Sequence, residues 1–379
     1  MLTLPPLSLY VHIPWCVQKC PYCDFNSHTM KGEIPEQAYL NRLLDDLRAD
    51  LDGVQGRRLT SIFIGGGTPS LISAAGIKRL LDGIQSYIPF ADNCEITLEA
   101  NPGTFETERF AGFAAAGVNR LSIGVQSFQA EQLQQLGRIH NPEQAELAAR
   151  HATTLPLKSF NLDIMHGLPQ QTLAHAMDDL TQAIALQPPH ISWYQLTIEP
   201  NTAFASRPPQ LPDDDTLWEI QLAGQALLAQ AGYQQYEVSA YAKPGEQSKH
   251  NRNYWLFGDY LGIGCGAHSK ITWPDKNTIV RCEKIKHPQG YLDLTRPLRY
   301  RQWQVSHDEL PFEFFMNQLR LSEPAPKQAF VNYTGLSNEL AAELLQPSID
   351  KGLLTETATH WQTTELGKRY LNSILDTMV

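Results

Sequence analysis

Short apolar runs recur along the first half of the chain, each followed by a polar or glycine-rich turn and then a stretch with helical spacing. Leu7 to Pro14 is apolar and β-rich and reads as a buried strand. Ile34 to Leu51 carries apolar residues at helical intervals. Ser61-Ile62-Phe63-Ile64 ends in Gly65-Gly66-Gly67-Thr68-Pro69, and Ser73 to Tyr87 is helical. Glu95 to Glu99 is strand-like and stops at Asn101-Pro102-Gly103; Phe105 to Ala116 is helical, with Gly117 suited to its C-cap. Arg120 to Val125 ends at Gln126-Ser127-Phe128, and helical stretches follow through Leu155. Ser159 to Ile164 runs into Met165-His166-Gly167-Leu168-Pro169, Thr172 to Leu186 is helical, and His190 to Ile198 is a further strand closed by Glu199-Pro200. Six strands alternating with helices, at a step of roughly thirty to forty residues, have the rhythm of βα units and a parallel sheet. The polar motifs fall at the strands' carboxyl ends, where parallel α/β barrels carry their active sites. Periodicity alone does not choose between a barrel and an open sheet.

After Pro200 the pattern changes. Ala205 to Asp215 is rich in Pro and Asp and reads as a linker. Leu217 to Ala231 is a helix, Tyr236 to Tyr241 a strand, and Lys243 to Ser269 a loop of Gly, His and aromatic residues. From His307 short helices alternate with Gly352-Leu353-Leu354-Thr355 and Trp361-Gln362-Thr363-Thr364, a winged-helix-like order. These shifts divide the chain into 1–205, 206–300 and 301–379. The net charge of −10 argues against general nucleic-acid binding, so the last unit is expected to pack as a lid. No apolar run reaches the ~20 residues that span a bilayer. Met1-Leu2-Thr3-Leu4-Pro5-Pro6 lacks the basic and apolar segments of a signal peptide. A cytoplasmic protein is expected, with peripheral contact at the inner face of the membrane left open.

The densest chemistry is Cys16-Val17-Gln18-Lys19-Cys20-Pro21-Tyr22-Cys23, which holds three of the six cysteines in a C-x3-C-x2-C pattern. Three thiolates on so short a loop suit a cubane iron–sulfur cluster whose fourth iron lacks a protein ligand. Zinc would want a fourth ligand, and His12 and His28 lie at unusual spacings for one. Gly65 to Pro69 lets backbone approach a ligand but lacks the Lys-Ser/Thr ending of a P-loop. Glu99 and Gln126 end strands, Arg138 is a planar cation suited to a carboxylate, and Asp163 interrupts an apolar strand. A charge there needs a partner, and Arg120 is a candidate partner for buried carboxylates. In His250-Asn251-Arg252-Asn253-Tyr254-Trp255 an imidazole stands beside two aromatics, a set able to ligate haem iron and stack on a porphyrin. Cys94 and Cys282 read as ordinary buried thiols.

The cysteine pattern, with an aromatic residue before its last Cys, resembles the signature of the radical S-adenosylmethionine (SAM) family. In that family SAM chelates the open iron and one electron cleaves it to a 5′-deoxyadenosyl radical. Tyr10-Val11-His12-Ile13-Pro14-Trp15-Cys16 is similar to the oxygen-independent coproporphyrinogen III oxidase-like branch. The resemblance implies that Cys16, Cys20 and Cys23 hold a [4Fe–4S] cluster. It further implies SAM contacts at Gly66, Gly67 and Thr68, where GGGTP stands for the family's GGE-like motif, and at Glu99 (ExNP), Gln126 (GVQSF), Arg138 (LGRxH) and Asp163 (DxMxGLP). Tyr10 and Tyr22 complete that set. The fold implied is α/β, a partial (β/α)6 radical SAM barrel with a smaller C-terminal winged-helix-like α+β region.

Two features depart from the oxidases themselves. Phe25 stands where they carry a further Cys, and only fifteen residues precede Cys16. The His250–Trp255 stretch resembles instead the HNxxYW motif of the branch's haem-chaperone group. That resemblance implies a chaperone holding haem at His250 and delivering it to respiratory or other haem proteins. An electron donor such as a flavodoxin and a homodimer go with it. The alternative is oxygen-independent coproporphyrinogen III oxidation; a more distant one is a radical enzyme that opens or methylates haem. Whether the chain is an enzyme stays open at this point.

Overall fold

The computed structural model describes residues 1–103 and 107–378. Six parallel strands lie side by side in chain order: β1 (Leu7–Ile13), β2 (Leu59–Gly66), β3 (Phe90–Ala100), β4 (Arg120–Gln126), β5 (Ser159–His166) and β6 (His190–Gln195). Helices Glu36–Ala49, Ala74–Tyr87, Phe110–Ala116, Pro142–Thr154 and Leu173–Ala185 form the crossovers. Gly117 ends its helix in the left-handed region as a C-cap, while Phe105, the expected start of that helix, lies outside the described residues. This is the α/β architecture expected.

Alternation within each strand separates two environments. Leu7, Leu9, Val11 and Ile13, with Ile62, Ile64, Leu98, Ile123 and Leu162, bury their side chains in one core with Leu40, Leu43, Leu80, Phe110 and Leu180 of the helices. The intervening residues face the other way: Ser8, Tyr10 and His12, Glu95, Thr97 and Glu99, Asn161 and Asp163. Strands covered on both faces are usually apolar throughout. Here the inner face is polar, which marks it as a lumen built to hold something other than side-chain core.

The region after Pro200 extends both edges of this sheet. β7 (Gln234–Glu237) and β8 (Ala240–Ala242) add antiparallel beyond β6. β9 (Asp259–Ile263) pairs parallel with β1, followed antiparallel by β10 (His268–Trp273), β11 (Thr278–Lys284) and β12 (Arg299–Gln304). Two expectations are corrected. Tyr236 to Tyr241 is two strands around a turn rather than one, and the loop expected over Lys243 to Ser269 contains the helix Lys249–Trp255 and β9. That helix escaped detection because it sits in a polar lumen and therefore lacks apolar periodicity. Ser248 caps it, and the Glu95 carboxylate accepts from the Lys249 and His250 amides at 3.0 and 3.1 Å. A carboxylate at a helix N-terminus satisfies orphan amides and opposes the helix dipole.

Helices Leu310–Gln318, Lys327–Thr334 and Asn338–Asp350, with a small antiparallel sheet of Ala325–Pro326, His360–Thr363 and Leu354–Glu356, form the C-terminal unit. Its own core is aromatic, with Phe314, Phe315, Phe330 and Trp361 in edge and stacked contacts. Backbone hydrogen bonds from Val238 to Arg320 and from Ser322 to Tyr236 tie it to the barrel edge.

Candidate functional site

β1 delivers the chain directly into the cysteine loop. Trp15–Cys16 pairs with His28–Thr29, so the loop is pinched shut at its base. Gly67 and Thr68 donate to the carbonyls of Ile13 and Trp15, which holds the glycine turn after β2 against the loop. A Cβ on Gly67 would lie 2.5 Å from the Trp15 carbonyl oxygen. Gly66 has φ of 118°, and a Cβ there would meet the His12 ring at 2.6 Å. Both positions therefore require glycine.

Above this junction lies a cavity of about 520 Å³. Cys16, Cys20 and Cys23 line it, with Tyr22 of the same loop. Gly66, Gly67 and Thr68 reach it from the β2 turn. Glu99, Gln126, Arg138 and Asp163 come from the ends of later strands and loops. Residues scattered over some 150 positions thus share one wall because parallel strands end at one edge. Among the described residues no group of three or more His, Cys, Asp or Glu converges on a single-ion position. A cubane spreads its thiolates over three iron corners instead.

Electrostatics of the cavity suit a zwitterionic ligand. The Arg138 guanidinium donates to Asn101 Oδ1 at 2.7 Å and to the Gly124 carbonyl at 2.6 Å, and its Nη1 lies 3.6 Å from Cys20 Sγ. Its Nε is buried without a partner. Glu99 accepts from the Gly66 amide at 3.0 Å. Burial, and then the nearby Asp163, push its pKa up to about 8. Asp163 accepts from Ser122 and Asn161 at 3.1 and 2.8 Å. The partner expected in Arg120 acts on Asp163 only through space. Burial also raises the Cys16 and Cys23 thiols, against hydrogen bonds from Thr68 to the first and from Phe25 and Ser27 to the second. A metal that binds thiolate would draw these protons off. A guanidinium and two carboxylates without a close cation, all lining one cavity, suit the carboxylate and ammonium of an amino-acid group.

Gln126 takes φ of 71°, a left-handed conformation rare for such a residue, and accepts from Tyr194 OH at 2.7 Å. Strain of this kind costs about 1–3 kcal/mol and concentrates at functional sites. Asn101 and Tyr194 were not singled out from sequence. Asn101 sits inside the Asn101-Pro102-Gly103 turn, and Tyr194 follows Ser192 at the inward alternation of β6, a signal available from the pattern but weak by itself.

Two expected residues lie elsewhere. Tyr10 faces a second cavity of about 760 Å³, hydrogen-bonded to His12 Nδ1 at 2.8 Å. Gly66 and Glu99 line both cavities, so the two share a wall. His250 lines neither. It is 2% exposed, with Nδ1 at 3.1 Å from Ser61 Oγ and Nε2 at 3.2 Å from Tyr254 OH, and it stacks on Phe63 at 5.0 Å. Its helix separates the cavities: Asn251 and Trp255 line the first, and Tyr254 the second.

The chain matches the radical SAM superfamily over residues 10–183 and the HemN C-terminal domain over residues 305–370. It is 58% identical to "Heme chaperone HemW" of Escherichia coli over 378 residues, covering 99% of both chains. The chain belongs to the HemW family of radical SAM proteins. HemW of Bacillus subtilis is 33% identical over 97% of each chain. Among solved structures, the coproporphyrinogen III oxidase HemN of E. coli superposes with a TM-score of 0.84 at 25% identity, over 99% of this chain and 90% of that one. Radical SAM membership implies a [4Fe–4S] cluster and SAM, and the thiols and charges of the first cavity fit both. Among the described residues of this HemW-family chain no helix is long and apolar enough to cross a membrane.

Proposed function

We propose that this chain is a haem chaperone on a radical SAM barrel, binding a [4Fe–4S] cluster, SAM and haem and passing haem to haem proteins, respiratory enzymes among them. The observation that carries the reading is the end-to-end likeness, at 58% identity, to a protein named as a haem chaperone. In this reading Cys16, Cys20 and Cys23 hold the cluster and Arg138 sits beside Cys20, with Nη1 3.6 Å from its Sγ. The Arg138 guanidinium receives the SAM carboxylate, while Glu99 and Asp163 receive its ammonium or ribose hydroxyls. Gly66, Gly67 and Thr68 offer backbone at close range, and Gln126 and Tyr22 bound the remainder. A cluster with an open iron supplies one-electron chemistry when bound. A flavodoxin-like electron donor, a cluster-promoted homodimer and a cytoplasmic site of action, with contact at the inner membrane face, belong to the same proposal. The three parts of the chain, 1–205, 206–300 and 301–379, act as cofactor barrel, haem region and lid.

The close superposition on the E. coli oxidase favours a second reading, oxidative decarboxylation of coproporphyrinogen III. One anaerobic experiment separates them. Reconstituted protein with reductant and SAM is given coproporphyrinogen III or haem. A haem complex transferable to an apo-haem protein, without protoporphyrinogen formation, is expected. Protoporphyrinogen with 5′-deoxyadenosine would replace the chaperone by the oxidase.

A further inference from the structure

We infer that haem sits in the second cavity, with the His268 imidazole as the protein ligand to its iron; this rests on the haem-chaperone reading above. An axial imidazole needs a ring nitrogen with a free lone pair and room for a flat macrocycle in front of it. His250 offers neither, since both ring nitrogens are engaged and Phe63 covers a face. The second cavity, at about 760 Å³, falls in the range of small-molecule and cofactor pockets, about 300–1,000 Å³. Tyr10, Tyr254 and Tyr260 supply aromatic walls, and Phe25, 58% exposed, stands at its mouth.

Three histidines line this cavity. His12 is committed through Nδ1 to Tyr10 OH and through Nε2 to the Asn26 carbonyl, at 2.8 and 2.9 Å. His28 turns Nε2 to Asn26 Oδ1 at 3.3 Å and packs edge-on against His287. His268, at the start of β10, makes no hydrogen bond among the described residues; its side chain is half exposed, and Nε2 lies 3.7 Å from the Glu283 carboxylate. Burial lowers its pKa below the ordinary histidine value, with Glu283 opposing, which keeps the ring neutral and its lone pair available. With Nε2 on the side of the Glu283 carboxylate, Nδ1 is the nitrogen left for the iron.

Lys19 and Lys286 line the cavity, as do Asp24 and Glu99, and Lys286 pairs with Glu283 at 2.7 Å. Lys19 Nζ donates to the carbonyls of Phe25 and Ser27, at 3.2 and 3.3 Å, and has no carboxylate partner among the described residues, which leaves its charge for a propionate. Haem seated here would lie across the Gly66–Glu99 wall from the cluster and SAM side, which gives the cofactor cavity a physical route to sense cargo.

The test uses the cluster-reconstituted full chain titrated anaerobically with ferric haem. Wild type is expected to show a shifted Soret band with the spin-state signature of imidazole ligation. His268→Gly should lose that signature and bind haem at least tenfold more weakly, with an unchanged melting temperature, and added imidazole should restore the signature. Unchanged spectrum and affinity in His268→Gly would overturn the inference and leave the chaperone reading standing. So would a loss that imidazole fails to rescue, or a signature that vanishes in His250→Asn and survives in His268→Gly. Wild type that binds no haem overturns the chaperone reading itself.

Discussion

The cysteine loop and the His250–Trp255 stretch are equally crisp as sequence, yet the barrel treats them in opposite ways. The loop follows β1 and faces a cavity with its three thiols, the Arg138 guanidinium and the carboxyls of Glu99 and Asp163. The second motif coils into a helix inside the lumen and spends its histidine on Ser61 and Tyr254. A short motif therefore identifies residue types that travel together, while the neighbours decide whether a member is a ligand or part of the wall. The polar lumen makes the difference: a histidine with two internal hydrogen bonds supports its surroundings, and one with none is available.

The comparison can be broken most severely at the loop. Replacing Cys16, Cys20 and Cys23 by serine together should abolish iron and sulfide binding after anaerobic reconstitution, with circular dichroism showing the barrel still folded. Retained iron would end the cluster assignment. Next in size is His250→Ala. Removing a buried, doubly bonded imidazole should cost about 2–3 kcal/mol in denaturant titration. Burial takes the His250 pKa from 6.5 to about 3. Its neutral form is thus favoured in the fold, a contribution complete above pH 6.5 and lost as pH falls toward 3. The stability gap between wild type and variant should shrink below pH 6.5 by up to about 1.4 kcal/mol per pH unit, and so close within about two units.

Glu99→Gln sharpens the other side. With Glu99 raised to about 8, the folded protein keeps a proton that the unfolded chain has shed. Its carboxyl therefore loses stabilising effect as pH rises from its ordinary value near 4.5 through 8. A cationic ligand should pull that pKa down, so SAM binding near pH 7 should release a proton. Calorimetry in buffers of different ionisation heat should detect this release in wild type only, and Glu99→Gln should weaken SAM about tenfold, or about 1.4 kcal/mol. The smallest effect belongs to Tyr194→Phe, which removes one hydrogen bond to Gln126. It should cost about 0.5–1.5 kcal/mol in stability and change SAM affinity only a few-fold.

Legibility followed the range of the interactions. Gly117 was readable as a C-cap because a cap depends on a few adjacent residues. The grouping of Cys16, Cys20 and Cys23 at one cavity was readable because they lie within eight residues of chain. Asp163 was readable as a charge in need of partners, but those partners, Ser122 and Asn161, come from inward alternation on neighbouring strands. Lys249–Trp255 was missed as a helix because its stabilising partner, Glu95, lies some 155 residues away. His268 was missed because nothing beside it in the chain marks it; only β10 folding against β9 brings it to the cavity that Tyr10 and Tyr254 also line.

By itself the amino-acid sequence determined the βα rhythm, the C-x3-C-x2-C spacing and the polar residues at the strand ends. Each of these is written in residues a few positions apart, or in the period of the strand. Only the tertiary structure decided that the lumen holds two cavities, that both ring nitrogens of His250 are hydrogen-bonded, and that His268 lines the second cavity. Whether a side chain is available depends on the number of hydrogen-bond partners that distant strands bring to it, and that number exists only once the sheet has formed.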